Sequence, residues 1–499
     1  MTYVSRVTPS AHADDLVYAA FDGHKNRDFA PHLLASSDRG RTWKSIAGDL
    51  PKDSPVSVVA EDPFDPSLLF AGTEFGAFFS LDAGVHWKKI SGLPTIAVKD
   101  IAVHPETHDL LLATFGRGFY VVDDISPIEK MPAGTLAERA ALVAAGNARL
   151  YLPSRPRGGQ PKGDQGDDFY YADNPPYGAV FTYYVKDEIE NSAEKRRKEA
   201  EKRLEAAAPV AGGKKKDAAR ETPAMSLEEA IRAANPKTSE ALKESEKAAA
   251  LLTVWDESGR AVRTIEGPVT AGFHRVVWDM RMPPPYRRPG ESNEDFYPAP
   301  TGPLVLPGKF SARLALRVDG KIEAVGARRP FVVRTDADAA LSAADREALH
   351  RALARLRPLQ SAGWGALQTV DQAWADLGKV PAAIEDTPGP PDGLEERYRA
   401  VRDRLEAIRH ALRGDPKLAS LNPPPAIVDR IDQVVDDLRL ASAAPTKTDL
   451  DQMAAAEKLL AEQIAAFETW RAKDLAELDR SLDEAGAPWT PGRMPRVGK

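Results

Sequence analysis

Ser36-Ser37-Asp38-Arg39-Gly40-Arg41-Thr42-Trp43 returns as Ser80-Leu81-Asp82-Ala83-Gly84-Val85-His86-Trp87. Asp38 to Asp82 and Trp43 to Trp87 are the same step of 44 residues, a period that suits a four-stranded propeller blade. Both copies read S-x-D-x-G-x-x-W, and each is followed by Leu-Pro, at Leu50-Pro51 and Leu93-Pro94. The residue types have local jobs. An Asp carboxylate can accept hydrogen bonds from the N–H groups of its own turn, and Gly supplies a positive φ. The Trp ring then packs beneath the hairpin and locks it. The expectation is that Ser36, Asp38, Gly40, Trp43, Ser80, Asp82, Gly84 and Trp87 are structural.

Outward from the repeat, short β-rich runs are punctuated by Pro, Gly and Asp, as an all-β repeat requires. Val56–Ala60, Leu68–Thr73, Ala77–Ser80 and His86–Ile90 read as the four strands of one unit. A third unit runs through Val98–Val103, Leu110–Ala113 and Gly118–Val122, then stops at Asp123-Asp124 without a second turn motif or a fourth strand. The first unit is irregular, with Phe21–Asp28 inserted between its strands.

The S-x-D-x-G-x-x-W pattern is the Asp box, and the run from Tyr18 to Asp124 resembles the last blades of the sortilin-like BNR-repeat proteins of bacteria, often labelled glycosyl hydrolase. The phrases SSDRGRTWKSIAGDLP (36–51), AGTEFGAFFSLDAGVHW (71–87) and ATFGRGFYVVDD (113–124) carry the resemblance. It implies a His where this chain has Phe115, so a role carried by that imidazole is lost here. It also implies further blades upstream and a periplasmic or secreted setting. Met1–Val7 lacks a basic n-region and an apolar h-region, so no signal peptide is read and the compartment stays open. Propellers hold about 4–8 blades. Residues 1–130 are therefore expected to form a partial, open propeller of two to three blades.

Residues 131–177, rich in Pro and Gly near 153–166, read as a linker. Residues 178–335 carry strand runs, and "VWDESGRAVRTI…AGFHRVVWD…PGKFSARLALRVDG" resembles an Ig-like or fibronectin-like β-sandwich. A charged insertion, 186–248, alternates sign without an apolar stripe and reads as solvated helix or disorder. Trp255 and Trp278 read as core or rim aromatics, with a sugar-stacking platform as the other reading. After Thr335 the apolar spacing changes to about 3.6, so 336–485 reads as a helical bundle of about four helices, with 486–499 a flexible tail. The fold class is thus multidomain, β plus α.

The chain has 499 residues, net charge −7 and no cysteine. That removes disulfides, thiolate metal sites and a cysteine nucleophile, and no basic face suggests nucleic acid. No apolar run reaches the ~20 residues that span a bilayer. H-E-x-x-H, G-x-S-x-G and Walker-type loops are missing, and His104 with His108 is too small a set for zinc, so no metal or cofactor is expected. A glycosidase needs two facing carboxylates. Glu61, Asp62, Glu74, Asp100, Asp123 and Asp124 are the candidates, although Asp62 reads as a turn residue. Glu74 in GTEFG and Arg117 in FGRG hold comparable positions in successive units and are the candidate binding residues; an inter-unit salt bridge is the alternative.

The function expected is a non-catalytic, propeller-based binding or scaffold protein for a protein, peptide or glycan ligand. It would self-associate or take a partner that supplies missing blades. The alternative is a BNR-type glycoside hydrolase whose site needs blades missing from this chain.

Overall fold

The computed structural model describes residues 3–132, 134–151, 175–192, 194–196, 198, 247–286, 300–335, 341–421 and 423–494. The chain is a mixed β plus α, multidomain protein. Three antiparallel sheets come first. β1 (Tyr3–Pro9), β2 (Val17–Asp22), β3 (His32–Ser36) and β4 (Lys44–Ser45) pair in chain order, as do β5 (Val56–Glu61), β6 (Leu69–Thr73), β7 (Gly76–Ser80) and β8 (Lys88–Lys89). The third sheet holds β9 (Val98–Val103), β10 (Leu110–Thr114) and β11 (Phe119–Val122). Each is a simple meander, because every strand pairs with its neighbour in sequence.

Alternation along the strands explains how the sheets stack. Leu69 and Ala71 of β6 face one core, shared with Tyr18, Ala20 and Leu33 of the first sheet. Phe70, one residue out of step, faces a second core with Ile101, Leu110 and Leu112 of the third. The middle sheet is therefore buried on both faces. Among the described residues the outer sheets each keep an uncovered face, marked by exposed Val4 and Val7 on β1 and by exposed Phe119 and Val121 on β11.

First strands run side by side in one direction. Ser5 Oγ donates to Val56 O at 2.9 Å and Thr8 Oγ1 to Val59 O at 2.9 Å, both steps of 51 residues. Ser57 and Lys99 meet at the start of β5 and β9, through a 3.2 Å hydrogen bond, whereas Phe64 and His108 meet beyond their ends. The link from second to third strand therefore emerges at the same end of all three sheets.

A short helix, α1 (Ser126–Glu129), leads into a β-sandwich. One sheet orders β12 (Ala140–Ala145), β14 (Ala179–Val185) and β17 (Gly272–Trp278). The other orders β13 (Ala148–Leu150), β19 (Lys321–Thr335), β18 (Gly308–Val318), β15 (Ala249–Asp256) and β16 (Ala261–Gly267). Residues 140–150, expected as linker, thus supply a strand to each sheet; their small side chains sit in the sandwich core beside Phe181, Leu252 and Phe331. Trp278 is buried in that core and its Nε1 donates to Arg281 O, so it cannot serve as a sugar platform. Trp255 instead carries the Arg328 guanidinium 4.0 Å above its ring. Most of the charged insertion lies outside the described residues.

Helices follow: α2 (Ala343–Leu377), α3 (Val380–Glu385), α4 (Leu394–Arg413), α5 (Ile427–Leu440), α6 (Lys447–Thr469) and α7 (Ala476–Glu484). Ser342 caps α2 by accepting from Asp345 N–H, and Thr446 with Asp449 forms a reciprocal capping box at α6. The stripes of α2, α4, α5 and α6 meet in one core that includes Leu367, Leu405, Ile431 and Leu460. Between α6 and α7 the helix widens into a π turn, Trp470–Leu475.

Candidate functional site

The two repeated turns are alike in detail. Gly40 N–H donates to Ser36 Oγ at 2.8 Å, and Ser36 Oγ donates to Asp38 Oδ1 at 2.7 Å. The same carboxylate accepts from the N–H groups of Arg41 (2.9 Å) and Thr42 (2.8 Å) and from Thr42 Oγ1 (2.6 Å). Those bonds, the Thr42 hydroxyl first, hold the Asp38 carboxyl down at about 2. In the second turn Ser80 Oγ accepts from Gly84 N–H and donates to Asp82, both at 2.8 Å. Asp82 Oδ1 accepts from His86 N–H at 2.8 Å, and His86 Nδ1 lies 2.6 Å from Oδ2. Burial pushes the Asp82 carboxyl up, but the His86 and Ser80 bonds outweigh it and the net displacement is downward. Gly40 and Gly84 hold φ values of +84° and +91°, where any Cβ would be strained.

The tryptophans differ. Trp87 is 6% exposed and its Nε1 donates to Ile46 O at 3.0 Å, so it is clamped under the preceding sheet. Trp43 is 41% exposed and its Nε1 reaches only its own turn, at Gly40 O. The motif makes the turn; the neighbouring sheet makes the tryptophan a core residue.

Glu74 and Arg117 lie in the links between the second and third strands of the second and third sheets, and both are exposed. No hydrogen bond or ion pair joins them among the described residues. Thr73 Oγ1 donates to Gly76 O at 3.0 Å and Thr114 Oγ1 to Gly118 O at 2.7 Å, so the two turns are closed by equivalent threonines. Each also displays a phenylalanine, Phe75 at 46% and Phe115 at 74% exposure. The matching link of the first sheet, residues 23–31, also exposes one, Phe29 at 47%. Three successive links at one rim thus each present an aromatic ring. For Phe75 and Phe115, an apolar residue beside Gly in a turn was the available signal in the sequence.

The remaining carboxylates are mostly engaged. Glu61 accepts from Ser10 Oγ, Ala11 N–H and Tyr18 OH. Asp100 pairs with Arg6. Asp124 accepts from Ser126 N–H at 3.1 Å, while the backbone carbonyls of Asp123 and Asp124 take the Arg275 guanidinium from the sandwich. Asp62 accepts from Phe64 N–H (2.8 Å) and Asp65 N–H (3.0 Å) in its turn, yet its Oδ2 is buried without a partner.

Asp62 belongs to a set that crosses from the second sheet to α1. His108 Nδ1 lies 2.8 Å from Glu129 Oε2, and the His108 ring packs 4.3 Å from Phe64. Burial pushes both the Asp62 and the Glu129 carboxyls up, the second against the pull of His108. Raised carboxyls beside an imidazole are the raw material of acid–base chemistry. Asp62 is 0% exposed and the Glu129 side chain 1%, however, so a substrate cannot reach them. They fasten α1 to the turn below the second sheet. His104 turns the other way, its Nδ1 accepting from Glu106 and Thr107 N–H. Among the described residues no group of three or more His, Asp or Glu could hold a metal ion, and no helix is long and apolar enough to cross a membrane.

No family model matches the chain, and no curated protein matches it. Among solved structures it is similar to an ancestral GH74 enzyme at 17% identity and a TM-score of 0.20, over 24% of this chain and 18% of that one. The GH74 enzyme of Niastella koreensis gives 17% identity and a TM-score of 0.21, over 24% and 21%. Dimeric latent PorU from Porphyromonas gingivalis gives 8% identity and a TM-score of 0.19, over 64% and 24%. The chain spans about a fifth of the length of the two GH74 enzymes. Scores this low bear on neither fold nor activity.

Proposed function

We propose that this chain is a non-catalytic binding or scaffold protein built on part of an Asp-box propeller, and that its contact surface is the rim carrying Phe29, Phe75 and Phe115. The observation that carries the reading is the row of exposed rings on successive equivalent links, with Glu74 and Arg117 exposed beside them. Aromatic rings with nearby charges suit a protein, peptide or glycan ligand, because they offer large contact area at small entropic cost. Of the candidate carboxylates, Glu61, Asp62, Asp100 and Asp124 are engaged in turns and inter-sheet contacts instead. In this reading Asp38 and Asp82 are structural, and the sandwich and helices are spacer and docking modules. The uncovered faces of the outer sheets favour further sheets, from a partner or a second copy, that continue the stack.

The test is affinity electrophoresis of the purified chain in a panel of soluble polysaccharides, alongside a peptide array. Retardation or capture that is lost in the Phe75→Ala/Phe115→Ala double variant, with an unchanged melting temperature, is the expected result. Binding that survives the double variant would remove the rim from the account.

A further inference from the structure

Far from the sheets, the helices line an open-sided cleft of about 440 Å³, within the size range of small-molecule sites. Its walls come from the end of α2, the π turn, α7 and the strap Thr490–Arg493. A π turn inserts one residue into the helical ladder and is frequent at functional sites. Here it brings Trp470 and Leu475 to the cavity wall. Phe467 stacks on Trp470 with ring centres 5.4 Å apart, and Trp470 is fixed from behind by Nε1 donating to Val401 O at 2.9 Å. Leu377 and Val380 complete an apolar floor.

The polar lining is unevenly satisfied. Arg493 pairs with Asp483, which neutralises both. Asp376 accepts from Gln372 Nε2 at 3.1 Å and lies 3.5 Å from Lys379 Nζ. Asp479 is half-buried and has neither a hydrogen bond nor an ion pair among the described residues; burial pushes its carboxyl up against the longer-range pull of Arg493. Thr490 Oγ1, on the strap, is buried without a partner. A half-buried carboxylate without a contact partner, at the edge of an aromatic cavity, gains from a cation that can reach it directly.

We propose that this cavity binds a small organic amine with an aromatic or apolar body, the ammonium on Asp479 and the body against Phe467, Trp470 and Leu475. Arg471, exposed on the same wall, gives the site a second end that would reward an anion, so the test separates the two. Tryptamine, indole-3-acetate and 3-methylindole share a body and differ in charge; each is titrated into the full chain by calorimetry. Saturable one-to-one binding of tryptamine is expected, with the other two at least tenfold weaker. Asp479→Asn should weaken tryptamine at least tenfold while keeping the melting temperature, because it preserves the side chain's shape and removes only a half-buried charge without a contact partner. Asp474→Asn, on the neighbouring π turn but paired with Arg404, should leave binding unchanged. Absence of saturable tryptamine binding, equal binding of indole-3-acetate, or indifference to Asp479→Asn would each overturn the assignment.

Discussion

Arg6 on the first strand of the first sheet pairs with Asp100 on the first strand of the third, bypassing the sheet between them. That is possible only if the three first strands curl toward a common axis; the constant 51-residue step sets β1 and β5 parallel and side by side. Both side chains keep substantial exposure, 38% and 59%, so solvent screens the pair. Arg6→Ala should cost under about 1 kcal/mol, and the cost should shrink at high salt. Urea denaturation at low and high ionic strength measures it; a loss of several kcal/mol would mean the curl depends on this bond.

The two repeated tryptophans should part company on mutation. Trp87→Ala opens a cavity between two sheets and should cost about 3–5 kcal/mol. Trp43→Ala removes a half-exposed ring and should cost under about 1 kcal/mol. Equal losses in paired denaturation curves would show that the turn, rather than the sheet above it, determines the packing.

Glu129 and Asp62 set an acid-range slope. Their folded values are raised above the ordinary 4.5 and 3.8, so the folded state holds protons more tightly than the unfolded one. Their ionisation penalty is absent below the unfolded values and fully present above the folded ones. Stability from these groups therefore falls as pH rises through that window. Glu129→Gln should flatten the decline, as read from melting temperatures across acid to neutral pH. A slope unchanged in the variant would assign the decline elsewhere.

Asp82 and His86 act in the opposite sense. Asp82 is lowered below the ordinary 3.8, and its bond with His86, the largest cause, raises that imidazole above the ordinary 6.5. The aspartate's contribution is present above its unfolded value and is lost as pH falls through the lower folded one. The histidine's is present below 6.5 and is lost as pH rises through the raised value. Asp82→Asn should return His86 toward its ordinary titration, followed by the imidazole proton shifts. A His86 curve that does not move would dissociate the two.

The strand runs were legible because alternation and turn residues are local properties, and both repeated turns are written within eight residues. What escaped the sequence is non-local. Ala140–Ala145 has only Leu142 and Val143 to mark a strand, and its pairing partners lie about 40 residues downstream. Asp62, His108 and Glu129 are scattered along the chain and meet only when α1 folds back. The inequality of Trp43 and Trp87 cannot be read from two matching motifs, since it depends on which sheet lies above. Glu74 and Arg117 do occupy equivalent links, but the sequence drew attention to their charges and passed over the phenylalanines beside them.

The central claim, that these sheets bind rather than hydrolyse, is tested most directly by assaying the purified full chain against a glycosidase substrate panel, with light scattering on the same sample. The account predicts no turnover above the blank, from a species that either self-associates or awaits a partner. Robust turnover by a monomer, abolished by Glu74→Gln, would contradict it.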